Sequence, residues 1–349
     1  MPPNLNIRKQ PMPVVTLAVD AMGGDHGLSV TVPAVAAMLS RHEHMHIILV
    51  GQLEPLTSAL SQANIADHPR ITVQPATEVV AMDDPVAVAL RQKKDSSMRV
   101  AINMVKEGRA QAAVSAGNTG ALMAVSRFVL KTLPGVDRPA ICTAIPTANG
   151  HCHMLDLGAN VDSEPAHLLQ FALMGQAVVR AVDGVEHPRV ALLNIGEEDI
   201  KGNEQIKEAA GLLREAQGLN YVGFVEGNGI FSGEADVVVC DGFVGNVSLK
   251  TMEGVAKMIG NMLRQEIKQS WLRKLCGLFA LPVLIGLKKR MDPDHYNGAS
   301  LVGLRGVVVK SHGGTSKEGF ACALEVAQLE ARRNVPSLIS DALGQPGTH

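Results

Sequence analysis

Short aliphatic runs alternate with stretches of helical periodicity along most of this chain. The runs have the length and composition of buried strands, and they cover residues 14–19, 46–50, 71–73, 112–115, 140–145, 153–156, 189–194, 236–240 and 306–310. Between them, residues 165–182 repeat apolar side chains on one helical face. Another helix is predicted to follow Thr315, because Thr315 and Glu318 have capping-box spacing and Pro336 lies beyond its end.

Strands that alternate with helices form βαβ units, so the pattern predicts a mostly parallel sheet covered by helices on both faces. No low-complexity segment divides the chain, and residues 14–335 are therefore expected to form a single α/β domain of three-layer α/β/α, Rossmann-like architecture. Residues 1–13 contain Pro and Asn but no apolar stretch, which predicts a disordered extension rather than a signal peptide. Residues 336–349 are expected to be a flexible tail.

A longer helical pattern starts near Gly245 and leads into residues 275–287, which carry no charge and include Pro282. This apolar stretch is too short to cross the ~30 Å of a bilayer core. It is either a buried helix end or dimer contact, or a tip that enters the lipid interface while its cationic flanks meet anionic headgroups. We expect residues 250–290 to protrude. The residues expected to contact a membrane or a carrier protein are Arg264, Lys268, Trp271, Arg273, Lys274, Leu284 and Ile285.

Composition adds three restrictions. Hydrophobic residues make up 46% of the chain but aromatic residues only 3%, which suits an aliphatic sheet buried on both faces. A formal net charge of −2 gives no indication of a nucleic-acid partner. The five cysteines form no C-x-x-C pair, so neither a disulfide framework nor a zinc knuckle is expected, and a reducing, cytoplasmic compartment is predicted.

Glycine and small polar residues follow six of the predicted strands. These loops are 20–25, 115–121, 156–160, 196–202, 241–246 and 312–316. Glycine lets main-chain amides converge on an anion, and a helix that starts there adds its positive end. Because ligands of open α/β sheets bind at the carboxyl ends of strands, we expect the six loops to share one anion-binding cleft at one edge of the sheet.

Several familiar site signatures are missing. The sequence has no nucleotide P-loop, no G-x-S-x-G nucleophile elbow and no G-x-G-x-x-G dinucleotide fingerprint. His151 and His153 would share one face of a strand, but no acidic residue or cysteine stands at ligand spacing beside them. The sequence therefore predicts no metal site.

The loops also carry long motifs in a fixed order. They include DAMGGD at 20–25, SAGNTGALMA at 115–124, DLGANVD at 156–162, LLNIGEEDIKGNE at 192–204, DVVVCDGFVGNVSLK at 236–250 and NGASLVGLRGVVVKSHG at 297–313. Over nearly the whole chain, the sequence resembles the phosphate acyltransferase family of bacterial phospholipid synthesis. The resemblance implies transfer of a fatty acyl group from an acyl-carrier-protein thioester to inorganic phosphate, which gives an acyl phosphate and a free carrier thiol.

The resemblance implies further properties. They are a fold similar to isocitrate dehydrogenase and phosphotransacetylase, a homodimer, no metal or organic cofactor, and a membrane glycerol-phosphate acyltransferase that consumes the acyl phosphate. Phosphate is already an anion and a thiolate leaves readily, so direct attack without an acyl-enzyme is expected. The enzyme would be cytoplasmic and peripherally associated with the membrane.

Roles for individual residues follow from this mechanism as hypotheses. Lys201 would pair with phosphate or the thioester oxygen, His312 would protonate the leaving thiolate, and Asp241 and Asn246 would orient the facing loop. The residues expected to bind phosphate or substrate are Asp20, Gly23, Gly24, Asp25, Gly117, Asn118, Thr119, Gly120, Asp156, Asn160, Asn194 and Asn228. Each role has a structural alternative, such as a helix cap for Asn118, a solvated lysine for Lys201 or a buried core histidine for His312.

Two other functions remain open at this stage. One is a phosphotransacetylase-like reaction that uses a coenzyme A thioester, for which the same loops would serve. The other is a non-catalytic scaffold at a membrane surface, which would need only the apolar tip and the dimer. Comparing the two kinds of thioester as acyl donors, and measuring phosphate-dependent release of thiol, would separate them.

Overall fold

The computed structural model describes residues 13–291 and 293–344. The extension expected at residues 1–13 lies almost wholly outside the described residues, as does the end of the chain from 345 onward. In the described residues, one sheet contains eleven strands. They are β1 (Val15–Asp20), β2 (Met45–Gly51), β3 (Ile71–Pro75), β4 (Ala112–Ser115), β5 (Ala140–Thr147), β6 (Gly150–Leu155), β7 (Arg189–Leu193), β8 (Asn220–Val225), β9 (Val237–Val239), β10 (Ala299–Val302) and β11 (Val307–Lys310).

Helices cover both faces of this sheet. In chain order they are α1 (Leu28–Arg41), α2 (Leu53–Gln62), α3 (Val86–Arg91), α4 (Ser97–Lys106), α5 (Thr119–Leu130), α6 (Pro165–Val182), α7 (Glu204–Glu215), α8 (Gly242–Lys268), α9 (Trp271–Met291), α10 (Lys317–Arg333) and α11 (Val335–Leu343). The predicted mostly parallel sheet with helices on both faces is therefore confirmed, and so is the helix predicted over 165–182.

Strand direction reverses in the middle of the sheet. The order is β3-β2-β1-β4-β11-β10-β5-β6-β9-β7-β8. Strands β3, β2, β1, β4 and β11 are parallel, and β6, β9, β7 and β8 are parallel, but three antiparallel pairings separate the groups. The carboxyl ends of the two groups consequently lie at opposite edges. The expectation that all six loops share one edge is wrong. Each antiparallel pairing reverses the strand direction, and after three of them the strands of the second group run opposite to those of the first.

The core is aliphatic, as the composition indicates. One cluster packs α1 and α10 against one face of the first group of strands, with Met38 and Phe320 fully buried. Another packs α6 and α11 against the second group, around Phe171. A third cluster covers the opposite face and includes Met98 and Leu122. Large aliphatic side chains inside each layer give the hydrophobic stabilisation that a buried sheet requires.

Two segments differ from the expectations. Helix α10 is capped by Ser316, whose side chain accepts a hydrogen bond from the Gly319 amide, whereas the Thr315 hydroxyl donates to Asp294 at 3.0 Å. Residues 336–343, within the segment expected to be a flexible tail, belong to α11 instead, and Ile339 is buried against α6. Pro336 lies in the first turn of this helix, where proline is well tolerated.

Helices α8 and α9 form a hairpin with little burial. Of the 27 residues of α8, only Gly242 and Gly245 are buried. Apolar side chains on the hairpin are widely exposed, with Trp271 at 72%, Phe279 at 80% and Val283 at 73%. Among the described residues, no helix combines the length and the apolarity needed to span a bilayer. An exposed apolar surface of this kind is a candidate contact for another molecule.

Candidate active site

The loops that follow β1, β4 and β11 pack tightly together. The Asp25 amide donates to the Gly313 carbonyl at 2.9 Å, and the Ser115 hydroxyl donates to Asp20 Oδ2 at 2.6 Å. A Cβ atom on Gly23 would lie 2.8 Å from the Gly117 nitrogen, so only glycine fits there. Burial raises the pKa of Asp20, although the Ser115 hydrogen bond opposes this shift. These contacts show that three of the expected loops converge.

A second convergence surrounds Asp156, after β6. Its carboxylate accepts hydrogen bonds from the amides of Ile141 at 2.9 Å, Ala159 at 3.1 Å and Asn160 at 2.7 Å, and from the Asn160 side chain at 2.9 Å. Burial raises the pKa of Asp156, while these hydrogen bonds act in the opposite direction. Asp156, expected to bind phosphate or substrate, therefore shapes its own loop instead, because its carboxylate oxygens accept from that loop's amides.

Helix α8 starts against this loop. The Gly242 amide donates to the Asn160 carbonyl at 2.9 Å, and Gly245 approaches Asp156 so closely that a Cβ atom would lie 1.9 Å from the Asp156 carbonyl oxygen. Asp241 caps the helix, because its carboxylate accepts from the Val244 amide at 2.9 Å. These contacts fix the start of α8, including its two buried residues Gly242 and Gly245, against the Asp156 loop.

A cleft of about 780 Å³ lies between the two convergences. Its walls include Thr119 and Gly120 from the first turn of α5, the loop 157–159, and Asn246 from α8. The amides in the first turn of a helix have no acceptor within that helix, so this wall suits an anion. The cleft thus unites one loop from each edge of the sheet.

The outer part of the cleft combines positive charge with apolar surface. Arg127, Phe128 and Lys131 line it from α5 and the residue after it, together with Met123 and Ile141. The Lys131 ammonium lies 4.9 Å from the centroid of the Phe128 ring, which holds the cation at this rim by a cation–π contact. This end therefore suits a ligand that carries both an apolar chain and negative charge.

Lys310 is a residue that sequence reasoning missed. It ends β11 and is only 8% exposed, and its ammonium donates to the Ala116 carbonyl at 3.3 Å and to the Ser311 carbonyl. Burial, followed by the like charge of Lys250, lowers the pKa of Lys310 to about 8. A lysine at the end of an otherwise aliphatic run, VVVK, was the available signal, since lysine is rarely buried without a partner.

His312 lies beside this lysine. Its amide donates to Asn297 Oδ1 at 2.9 Å, and its ring Nδ1 accepts from the Gly314 amide at 3.2 Å. Burial, followed by the positive charge of Lys250, lowers the pKa of His312 below its ordinary value. The ring is consequently neutral at physiological pH, and it holds its own loop through a backbone amide.

Other expected residues occupy varied positions. Asn118 caps α5 by accepting from the Ala121 amide at 3.0 Å, and its side-chain nitrogen donates to the Met82 carbonyl at 2.7 Å. Lys201 is exposed, with its carbonyl 3.4 Å from the Asn194 side-chain nitrogen. Asn194 and the exposed Asn228 follow β7 and β8. Of the expected site residues, Thr119, Gly120 and Asn246 line the cleft described above, and the others do not.

The residues expected to contact a membrane or carrier protein all lie on the α8–α9 hairpin. Leu284 is half-buried, and the other six residues are exposed. Arg273 forms an ion pair with Glu266, so part of the positive charge at this end is compensated.

Comparisons with known proteins agree with this geometry. The sequence model of a family described as "Fatty acid synthesis protein" matches residues 15–338. A Phosphate acyltransferase from Halorhodospira halophila is 58% identical over 326 residues, which cover 93% of this chain and 95% of that protein. A Phosphate acyltransferase from Alkalilimnicola ehrlichii is 59% identical over 329 residues, which cover 94% and 96% of the two chains.

A solved structure shows the same fold at low identity. A phosphotransacetylase from Streptococcus pyogenes superimposes with a TM-score of 0.61 at 17% identity, covering 91% of this chain and 94% of that one. The expected phosphotransacetylase-like architecture is therefore confirmed. With relatives this similar over nearly its full length, the chain belongs to the phosphate acyltransferase family, a family of acyltransferase enzymes.

Proposed function

We propose that this enzyme transfers a fatty acyl group from an acyl-carrier-protein thioester to inorganic phosphate. The observation that carries the proposal is the cleft itself, which has an amide-rich wall at the first turn of α5 and a cationic, partly apolar rim. The family name supports acyl transfer to phosphate, and the rim supports a donor that carries an acyl chain and negative charge.

Phosphate is proposed to bind at the inner end. Lys310 contacts the carbonyl of Ala116, which directly precedes the glycine-rich turn 117–120. Its ammonium and the first-turn amides of α5 together supply the positive field that a phosphate dianion needs. Lys201, the lysine that the motifs suggested, remains a hypothesis. Neither lysine is among the residues that line the cleft, but Lys310 is buried beside the turn that leads to the cleft wall, whereas Lys201 is exposed.

The chemistry requires few catalytic groups. A phosphate oxygen attacks the thioester carbonyl carbon, the new C–O bond forms, and the C–S bond breaks with its electron pair leaving on sulfur. Amide donors stabilise the oxyanion that develops between these events. Because His312 is mostly neutral at physiological pH, the thiolate leaves without full proton transfer, and His312 is proposed to position its loop.

The decisive experiment measures release of free thiol from acyl-carrier protein with and without phosphate. We expect phosphate-dependent release that falls at least about a hundredfold in Lys310→Met, the scale of losing one oxyanion-stabilising donor. Lys201→Ala tests the other lysine, and turnover close to wild type would remove Lys201 from the chemistry. An acyl group trapped on the enzyme would overturn direct attack, and faster turnover with acyl-coenzyme A would favour the phosphotransacetylase-like alternative. A scaffold would release no thiol.

The α8–α9 hairpin is proposed to join two copies of the chain and to meet a membrane surface from the cytoplasmic side. Exposed Met258 and Met262 on α8 suit a helix-to-helix contact, whereas Phe279 and Ile285 on α9 suit the lipid interface. Light scattering tests the homodimer. Flotation with anionic vesicles tests the membrane contact, since the variant with Leu284→Asp and Ile285→Asp should remain in the unbound fraction.

A further inference from the structure

Two histidines and an aspartate meet at the far end of β6 from the cleft. His151 and His153 alternate on one face of the strand, while Cys152 between them points to the other face. Asp183 follows the last residue of α6, the helix that packs on that same face. The fold thus supplies the acidic partner that the spacing along the sequence does not show, since Asp183 lies about thirty residues away.

The three side chains point their ligand atoms at one another. His151 Nε2 lies 3.1 Å from Asp183 Oδ1, and His153 Nε2 lies 2.9 Å from Asp183 Oδ2. All the possible ligand atoms lie within 4.8 Å of one another. Ligand atoms about 2.0–2.2 Å from one tetrahedral zinc ion are separated by distances of this size.

The surroundings favour a cation. The group lies at the carboxyl end of the 18-residue helix α6, where the helix dipole is negative. Both oxygens of the Asp183 carboxylate face an imidazole Nε2, which places a negatively charged group between the two rings. His153 is mostly buried and His151 is 38% exposed at its side chain, which leaves one open side for an ion and a water molecule.

A buried thiol lies behind the group. Cys142 Sγ is 3.9 Å from His153 Nδ1, the ring nitrogen that does not face Asp183. Cys142 is only 2% exposed and lies on the side of His153 that faces away from Asp183, so its thiol is not a fourth ligand. It contacts the outer ring nitrogen instead, the place where metal-bound histidines find their supporting partner.

We propose that His151 Nε2, His153 Nε2 and Asp183 form a binding site for a borderline divalent transition ion of the zinc class, with water completing the coordination. Imidazole and carboxylate ligands suit this class rather than Mg²⁺ or Ca²⁺, which prefer oxygen ligands alone. The ion would connect the β5–β6 hairpin to the end of α6. Three residues of extended strand, about 10 Å, separate His153 from Asp156, so the site is distinct from the cleft.

Cobalt(II) is the probe, because its visible d–d absorption reports four-coordination by nitrogen and oxygen ligands. The full chain, purified with a tag that contains no histidine, is titrated with Co²⁺ and then with Zn²⁺ as competitor, and its melting temperature is measured with Zn²⁺ and with Mg²⁺. We expect one equivalent of Co²⁺ to bind, Zn²⁺ to displace it, and Zn²⁺ but not Mg²⁺ to raise the melting temperature.

Variants decide whether the three residues are the ligands. His151→Gln, at the more exposed position, and His153→Gln should each weaken Co²⁺ binding by more than the ~10- to 100-fold typical of outer-shell changes. His44→Gln, in the turn before β2, is the matched control and should bind as wild type. The proposal is overturned if no equivalent of Co²⁺ binds, or if binding is unchanged in both site variants, in which case the group is a hydrogen-bonded brace only.

Discussion

Replacing Lys310 with Met should change how stability depends on pH. The pKa of this lysine is lowered from its ordinary value of 10.5 to about 8 in the folded chain. Between these pH values the unfolded state binds more protons than the folded state, so the free energy of unfolding rises with pH. At 1.36 kcal/mol per pH unit, the cost of burying the charged lysine is about 3 kcal/mol. It is fully present below pH 8 and absent above pH 10.5.

The variant Lys310→Met removes this cost at every pH. Its free energy of unfolding should therefore exceed that of wild type by the largest margin near pH 7, and the margin should shrink by about 3 kcal/mol as the pH reaches 10.5. Urea unfolding followed by circular dichroism from pH 7 to 10.5, at one protein concentration, measures the margin. Lys106→Met, on the exposed side of α4, should give a profile parallel to wild type. A margin for Lys310→Met that stays constant across this range would refute the reasoning.

Three other predictions concern the cleft and the start of α8. Gly245→Ala should cost about 3 kcal/mol or more, because its Cβ atom would meet the Asp156 carbonyl oxygen, whereas Gly254→Ala on the same helix has open space and should stabilise by about 0.5–1 kcal/mol in thermal unfolding. Asp241→Ala should lose about 1 kcal/mol of capping energy, and Asp241→Asn should retain both stability and turnover if capping is the main role of this residue. The phosphate KM should rise above pH 8 in wild type as Lys310 loses its proton, and Lys310→Arg should flatten that rise in steady-state assays.

The sequence predicts most of the sheet, because buried strands leave short aliphatic runs. Two strands escape this signal for physical reasons. In β8, Gly223 interrupts the pattern at an irregular register with β7, and half of its residues are only partly buried. In β10 the run is four residues long and contains Ser300, whose hydroxyl donates to the buried Glu330. A run this short does not indicate a strand by itself.

The hairpin of β5 and β6 explains the larger error about the edges of the sheet. The two antiparallel pairings of β10 cancel, so β5 runs parallel to β11, and the reversal comes from the antiparallel pairing of β5 with β6. The turn TANG at 147–150, which joins these two strands, was the available sign of the reversal. Strand direction depends on such pairings, and hydrophobic periodicity does not encode them.

The candidate site was partly predictable. Glycine-rich motifs identify the turns 20–25 and 115–121, which converge because their strands are neighbours in the sheet. Lys310 was hidden inside a strand pattern, since periodicity does not distinguish a buried cation from the solvated end of a strand. Asp183 shares no motif with His151 and His153, and only the packing of α6 on β6 brings them together.

Helix α8 lines the cleft with Asn246, in its second turn, and continues unbroken to Lys268. At 1.5 Å per residue these two residues are about 33 Å apart, and an unbroken helix holds that separation nearly constant. A molecule that leaves the cleft beside Asn246 is therefore about 33 Å from any surface that contacts the turn between α8 and α9, and this distance changes little. An enzyme that takes up this molecule would therefore have a shorter distance to cover if it bound along the side of the α8–α9 hairpin than if it bound at the turn between the two helices.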